Sequence, residues 1–142
     1  MSHFTIDPRL AADSHLLANG PLSQLRLIDD QRFAWLLLVP RVDGASELID
    51  LADATQQLLL AEIGEASRAL REAVTCDKLN IGALGNIVDQ LHVHVLARRR
   101  GDAAWPGPVW GTPGSSPMEA SARADLSRRL RLALRPEFWS HA

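Results

Sequence analysis

The sequence predicts a single α+β domain in which an antiparallel sheet of about five strands packs against one long helix, with a second helix near the C-terminus. Strand-like runs lie before residue 40 and again after residue 78, and a long helical repeat separates them. Another helical repeat follows the second set of strands. The chain has 142 residues, enough for one packed core, so we predict one domain over 1–142 with its core at about 22–100.

The N-terminal part predicts a short helix followed by a strand hairpin. Asp7-Pro8 is typical of a helix start, because proline is favoured at the first helical position. Residues 22–28 alternate apolar and polar side chains and predict a strand, which follows the turn signal Gly20-Pro21. The nearly continuous apolar run 33–39, ended by Pro40, predicts a central strand covered on both faces.

The rest of the chain predicts the long helix, two more strands and the second helix. Residues 48–51 indicate a helical turn, and 52–74 repeat apolar residues at spacings of three and four, which indicates a helix packed on a sheet. Residues 78–83 and 89–98 predict strands; the pattern leaves the fifth strand at an edge or near the N-terminus. The C-terminal part, 103–135, begins with a segment rich in Trp, Pro and Gly. A capping box from Ser116 to Glu119 then predicts a helix to about Leu134.

Composition excludes several classes of function. The hydrophobic fraction is 46% and the charged fraction 23%, as in an ordinary globular protein. The net charge of −2 does not favour binding to nucleic acids or membranes. Cys76 is the only cysteine, so no intramolecular disulfide is possible. The N-terminus lacks a secretory pattern and no apolar run reaches the length of a membrane span. We therefore expect a cytoplasmic protein.

The segment 90–96 carries the strongest functional signal. On a strand, Gln90, His92 and His94 share one face while the residues between them share the apolar face. The two imidazoles are then about 7 Å apart along the strand, from two rises of ~3.4 Å. Three interpretations of the pair are open: a metal site, two structural histidines hydrogen-bonded to backbone groups, or a nucleophilic imidazole that acts on a phosphate. We favour phosphate chemistry, because Gln90 is a poor third metal ligand and two histidines on one face weaken the structural alternative.

These residues resemble the histidine triad (HIT) motif, His-φ-His-φ-His-φ-φ with φ hydrophobic. Residues 33–41 also resemble the family's strand that ends in Pro and a basic residue, and the order of elements over about 22–100 is similar. The resemblance implies a HIT-like fold. It places Gln90 at the first triad histidine, His92 at the middle, nucleophilic one, and His94 at the last, which contacts the phosphate. Gln90 departs from the pattern, because an amide cannot become cationic.

The resemblance also implies a mechanism and a binding site. His92 attacks the α-phosphorus of a nucleoside phosphoramidate or dinucleoside polyphosphate and forms a covalent nucleotidyl intermediate, with a backbone carbonyl fixing the tautomer of its ring. The alternative is a catalytically weak nucleotide-binding protein, and no cofactor or metal is implied. The candidate substrate-binding residues are Gly85 and Asn86 of a turn, Asp29 or Asp30 for the ribose hydroxyls, Trp35 where the family often has histidine, and Arg98 at the strand end.

Family members are typically homodimers, so the resemblance implies a homodimer with a nucleotide as its small-molecule partner. Aromatic side chains are enriched at interfaces. Trp105 and Trp110 therefore fit either the dimer contact or the chain's own core, and the sequence leaves both open.

Overall fold

The fold is an α+β arrangement in which helices cover one six-stranded sheet, as a computed structural model describes it for residues 4–141. In chain order the elements are α1 Pro8–Ala12, β1 Ser14–Asn19, β2 Ser23–Ile28, β3 Ala34–Pro40, a 3-10 turn Leu48–Asp50, α2 Asp53–Ala73, β4 Lys78–Gly82, β5 Val93–Arg98, α3 Ala120–Ala133 and β6 Ser140–His141.

The sheet is antiparallel throughout, with the order β4-β5-β3-β2-β1-β6. The predicted fold class is confirmed. The strand that the sequence left unplaced is β1, which pairs with β2, and the two-residue β6 extends the sheet beyond it. β3 and β5 lie side by side, with Trp35 opposite Leu96 and Leu37 opposite His94.

Strand alternation gives the sheet two different faces. The side chains of Leu36 and Leu38 from β3 and of Val93 and Val95 from β5 join the main core with α2 and α3. The next residues along the same strands point the other way, where Leu37 and Val39 contact Leu10 of α1 and Val88. β3 is therefore covered on both faces, as its continuous apolar sequence predicted. Each fully buried leucine contributes about 1.5–3 kcal/mol through burial.

Two element boundaries differ from the sequence prediction. The histidine strand begins at Val93 instead of residue 89, because the Leu91 amide donates to the Ala45 carbonyl outside the sheet. The second helix begins at Ala120 without a side-chain cap, so the predicted Ser116–Glu119 capping box is wrong. The Ser116 carbonyl instead accepts from the Gln31 amide, which holds the segment before α3 against the β2–β3 turn.

A buried carboxylate ties α2 to the sheet. Glu62 has no exposed surface, and its oxygens accept from the amides of Leu22 and Ser23 at 2.9 and 2.8 Å and from the Ser23 hydroxyl at 2.6 Å. These bonds fix the start of β2 against the helix. No helix within residues 4–141 is long and apolar enough to cross a membrane.

Candidate active site

A cavity of about 750 Å³ lies on the face of the sheet turned away from α2 and α3. Its floor contains Trp35 from β3 and His94 from β5, and His92 lies just before β5. Its walls come from α1, from the loop 84–88 and from the segment 109–117. The cavity therefore brings the two histidines together with Trp35 and the loop 84–88, and adds residues of α1 to them.

His92 is held in one tautomer by the backbone. Its Nδ1 lies 2.6 Å from the carbonyl oxygen of Gln90, and a carbonyl oxygen only accepts, so Nδ1 carries the hydrogen. The neutral ring then has its lone pair on Nε2. Only 7% of the residue is exposed, so the bulk of the ring is shielded from water. This arrangement matches the one that the resemblance implied for a nucleophilic imidazole.

His94 is held in the opposite tautomer by Trp35. The indole Nε1 of Trp35 lies 2.9 Å from His94 Nδ1, and an indole nitrogen only donates. His94 Nδ1 therefore accepts, and the hydrogen of the neutral ring is on Nε2. The His94 ring also contacts the rings of Trp35 and Trp110, with centroid distances of 5.6 and 5.4 Å. His94 thus presents its Nε2–H as a hydrogen-bond donor, and the two indole rings hold the imidazole in place.

The two histidines form a complementary pair. Their ring centroids are 5.0 Å apart, and one ring offers a lone pair where the other offers an N–H. Burial, and next the electrostatic repulsion that His92 exerts when its own ring is protonated, lower the pKa of His94 from 6.5 to about 4. His94 is therefore neutral at neutral pH. A nucleophile beside a neutral donor is the combination needed to attack a phosphorus centre and to bind its oxygens.

The lowered pKa of His94 predicts a loss of stability in acid. The unfolded chain takes up this proton as the pH falls through 6.5, whereas the folded chain resists protonation until about pH 4. The free energy of unfolding should therefore fall between pH 6.5 and 4, by roughly 2–3 kcal/mol at pH 4.5 relative to pH 7. Urea unfolding at both pH values checks this, with His94→Gln as the reference. An equal acid loss in both proteins would contradict the prediction.

Four predicted binding residues line the cavity with the histidines: Gly85, Asn86, Asp29 and Trp35. Gly85 has φ +77°, a left-handed conformation that favours glycine. The Asp29 carboxylate accepts from the Met118 amide at 2.8 Å and lies 3.1 Å from His15 Nε2. These two contacts, the Met118 bond first, hold the pKa of Asp29 below its usual value, so the cavity contains an ionised carboxylate.

The structure does not bring the other predicted residues into this cavity. Asp30 is buried and bound through both oxygens by Arg32. Arg98 is 1% exposed, and its guanidinium donates to Asp102, to Asn80 and to the carbonyl of Gly107. The side-chain amide of Gln90 is hydrogen-bonded to the N-terminal segment.

Sequence reasoning missed several residues of the site. Trp110 contacts His94 and lies under Gly82, where an added Cβ would approach the indole to 3.0 Å. Trp105 stacks on Arg98, so each of these two tryptophans contacts its own chain. Residues Leu10, Ala12 and Asp13 in and after α1 also line the cavity, and no pattern in the sequence connected α1 with the histidines. Within residues 4–141 no group of three or more His, Cys, Asp or Glu residues is arranged to hold a metal ion.

Comparisons with known proteins agree with the fold and with the family that the sequence resembles. A family model described as the HIT domain matches residues 9–101. A histidine triad protein from Bradyrhizobium japonicum is 46% identical with a TM-score of 0.90, covering 93% of this chain and 98% of that chain. A histidine triad protein from Sinorhizobium meliloti is 42% identical with a TM-score of 0.91, covering 94% and 99%.

A more distant structure shows the fold alone. The hypothetical histidine triad nucleotide-binding protein from Sulfolobus tokodaii is 18% identical with a TM-score of 0.63, covering 84% of this chain and 83% of that chain. No curated protein matches. With a family model over most of its length and two structures more than 40% identical over nearly all of it, the chain belongs to the HIT domain family.

Proposed function

We propose that this protein is a nucleotide hydrolase or nucleotidyl transferase that cleaves a nucleoside phosphoramidate or dinucleoside polyphosphate at the α-phosphate. The observation that carries the proposal is the pair of opposite tautomers at His92 and His94. Membership of the HIT family supports a nucleotide-binding or hydrolase function. The Sulfolobus tokodaii protein, which has the same fold, is named for nucleotide binding.

The proposed reaction has two displacement steps. His92 Nε2 attacks the α-phosphorus, a P–N bond forms, and the bond to the leaving group breaks with its electron pair going to that group. His94 Nε2–H donates to a phosphate oxygen as charge builds up there. Water then attacks the same phosphorus and loses a proton to solvent, and the P–N bond breaks with its electron pair returning to His92 Nε2. The nucleoside monophosphate is released and the neutral imidazole, still protonated at Nδ1, is regenerated.

The remaining cavity residues suit the nucleoside part of such a substrate. The ionised carboxylate of Asp29 can accept from ribose hydroxyls, and the Gly85-Asn86 turn can donate backbone N–H groups to the phosphate. The aromatic side chains of Trp35 and Trp110 offer apolar surface beside the histidines. No step of this chemistry requires a metal, so activity should survive treatment with a chelator.

Intact mass spectrometry tests the proposal directly. The protein is mixed briefly with an adenylyl phosphoramidate or a dinucleoside polyphosphate, beside His92→Ala and the exposed control His141→Ala. We expect an adduct of one nucleotidyl group on the wild type and on His141→Ala but not on His92→Ala, with monophosphate released over time. Tight monophosphate binding without adduct or turnover would instead indicate a nucleotide-binding protein.

We also propose a homodimer. The surface that supports it is the sheet edge at β4, and not Trp105 and Trp110. β4 is an edge strand of the sheet, and Ile81 on it is 50% exposed. Leu84 and Ile87 in the loop that follows are 44% and 82% exposed. An unpaired edge flanked by apolar side chains is suited to pairing with a second copy. Light scattering should give twice the chain mass for the wild type and the single chain mass for Ile81→Asp.

A further inference from the structure

The side chain of Gln90 joins the loop before β5 to the N-terminal segment. Its Oε1 accepts from the Asp7 amide at 2.7 Å, and its Nε2 donates to the Thr5 carbonyl at 3.0 Å. The amide therefore pairs with the backbone on either side of Ile6 in the way that a neighbouring strand would. Both polar atoms of the side chain, the oxygen and the nitrogen, are therefore bonded to the backbone of this segment.

The same residue holds the proposed nucleophile through its backbone. The Gln90 carbonyl accepts from His92 Nδ1 at 2.6 Å, so one residue connects the N-terminal segment with the tautomer of His92. A second bond lies close by, from Arg9 Nη1 to the Ile87 carbonyl at 3.1 Å. The N-terminal segment is thus fastened to the loop 87–90 at two points.

The fastened segment leads directly into a wall of the cavity. The Asp7 carboxylate caps α1 by accepting from the Arg9 amide at 2.8 Å. Leu10 of α1 packs against Leu37 and Val88, and it lines the cavity. α1 has only five residues, too few to be stable as an isolated helix, so its position depends on these contacts.

We propose that Gln90 is a positioning residue. Its side-chain amide binds the backbone of Thr5 and Asp7, a pair of bonds that we call the clasp, and so holds α1 as a wall of the nucleotide pocket. This inference rests on the proposed function for its substrate, and it assigns Gln90 no contact with the reacting phosphate. The bond that orients His92 comes from the backbone carbonyl of Gln90, so a side-chain substitution leaves it in place. Changes at Gln90 should therefore weaken nucleotide binding more than they slow the chemical steps.

Gln90→Glu tests the clasp with almost no change in shape. The new carboxylate can still accept from the Asp7 amide, but it places an acceptor against the Thr5 carbonyl. The matched control is Gln57→Glu on the exposed face of α2. Hydrogen exchange over residues 4–12 and the affinity for adenosine monophosphate are measured for both. We expect exchange and the dissociation constant to rise roughly tenfold in Gln90→Glu, the effect of one or two lost hydrogen bonds, and to stay unchanged in the control.

A second comparison isolates the bond at Asp7. Asp7→Ala and Asp7→Pro both remove the capping carboxylate, but only proline also removes the backbone N–H, and the φ of −56° at Asp7 already suits proline. Asp7→Pro should bind adenosine monophosphate more weakly than Asp7→Ala, and this difference should vanish when Gln90 is replaced by Met. A difference that persists in the Met background would overturn the clasp.

Kinetics separate positioning from catalysis. We expect KM to rise roughly tenfold in Gln90→Glu with kcat within about threefold of the wild type. A higher kcat in Gln90→His, with exchange of residues 4–12 unchanged, would place Gln90 in the chemistry and overturn the inference. Exchange and monophosphate binding need no turnover, so a wild type that forms no adduct would refute the proposed reaction while leaving the clasp open to measurement.

Discussion

Replacing His92 by glycine is expected to slow nucleotide release by roughly a thousandfold or more, because the nucleophile itself is removed. His92 is 7% exposed and its ring donates to the Gln90 carbonyl, so removal of the ring leaves a space of its own shape beside the cavity. Free imidazole can occupy this space and act as the nucleophile. We therefore expect added imidazole to restore part of the lost rate in His92→Gly.

The rescue distinguishes loss of the nucleophile from loss of the fold. A misfolded variant would not respond to imidazole, and the thermal unfolding of His92→Gly gives an independent control. His94→Gly should respond weakly to imidazole, because His94 is expected to donate a hydrogen bond and to form no bond to phosphorus. Turnover of His92→Gly close to that of the wild type without imidazole would contradict the assignment of His92 as nucleophile.

Asp102→Ala is expected to lower the free energy of unfolding by about 3–5 kcal/mol, since it leaves a buried guanidinium without its counter-charge. Asp102 accepts from Arg98 through both oxygens, at 2.8 and 2.9 Å, and the two side chains are 6% and 1% exposed. The bonds from Arg98 hold the pKa of Asp102 far below its usual value, so the pair is ionic throughout the neutral range. Asp102 also accepts from the amides of Ala104 and Trp105, which begin the Trp-rich segment.

Asp125→Ala is the matched control for this prediction. Asp125 pairs with Arg128 and Arg129 on α3, but its side chain is 52% exposed. Exposed pairs of this kind contribute about 0–1 kcal/mol. Chemical denaturation of the two variants and the wild type measures both effects. Equal destabilisation by the two substitutions would show that burial of the Arg98–Asp102 pair adds nothing.

The sequence predicted which side chains share a face of each strand, because that depends only on the periodicity of the strand. The alternation from Gln90 to Val95 placed His92 and His94 on one face and Val93 and Val95 on the other, and the structure has this arrangement. The alternation of a strand encodes which side chains share a face, but it does not encode which distant segment covers that face. The resemblance to the family predicted in addition that a backbone carbonyl holds the His92 ring, and the structure contains this bond, to the Gln90 carbonyl.

The sequence did not predict contacts between segments far apart in the chain. The partners of Gln90 are Thr5 and Asp7, 85 and 83 positions away, and nothing local connects them. Arg98 follows the histidines and precedes two more arginines, which is typical of a solvated strand end. It is buried because a loop carrying Asp102 folds over it.

The indole at position 35 also limits how protons can move through the site. An imidazole shuttles a proton when one ring nitrogen takes it up while the other releases it to a second acceptor. The Nδ1 of His94 faces a nitrogen that can only donate, so a proton reaching Nε2 has no exit into the protein on the far side of the ring. A proton relay from one nitrogen of His94 to the other is therefore blocked, and the leaving group, which departs before water attacks, must be protonated by a route that does not cross this ring.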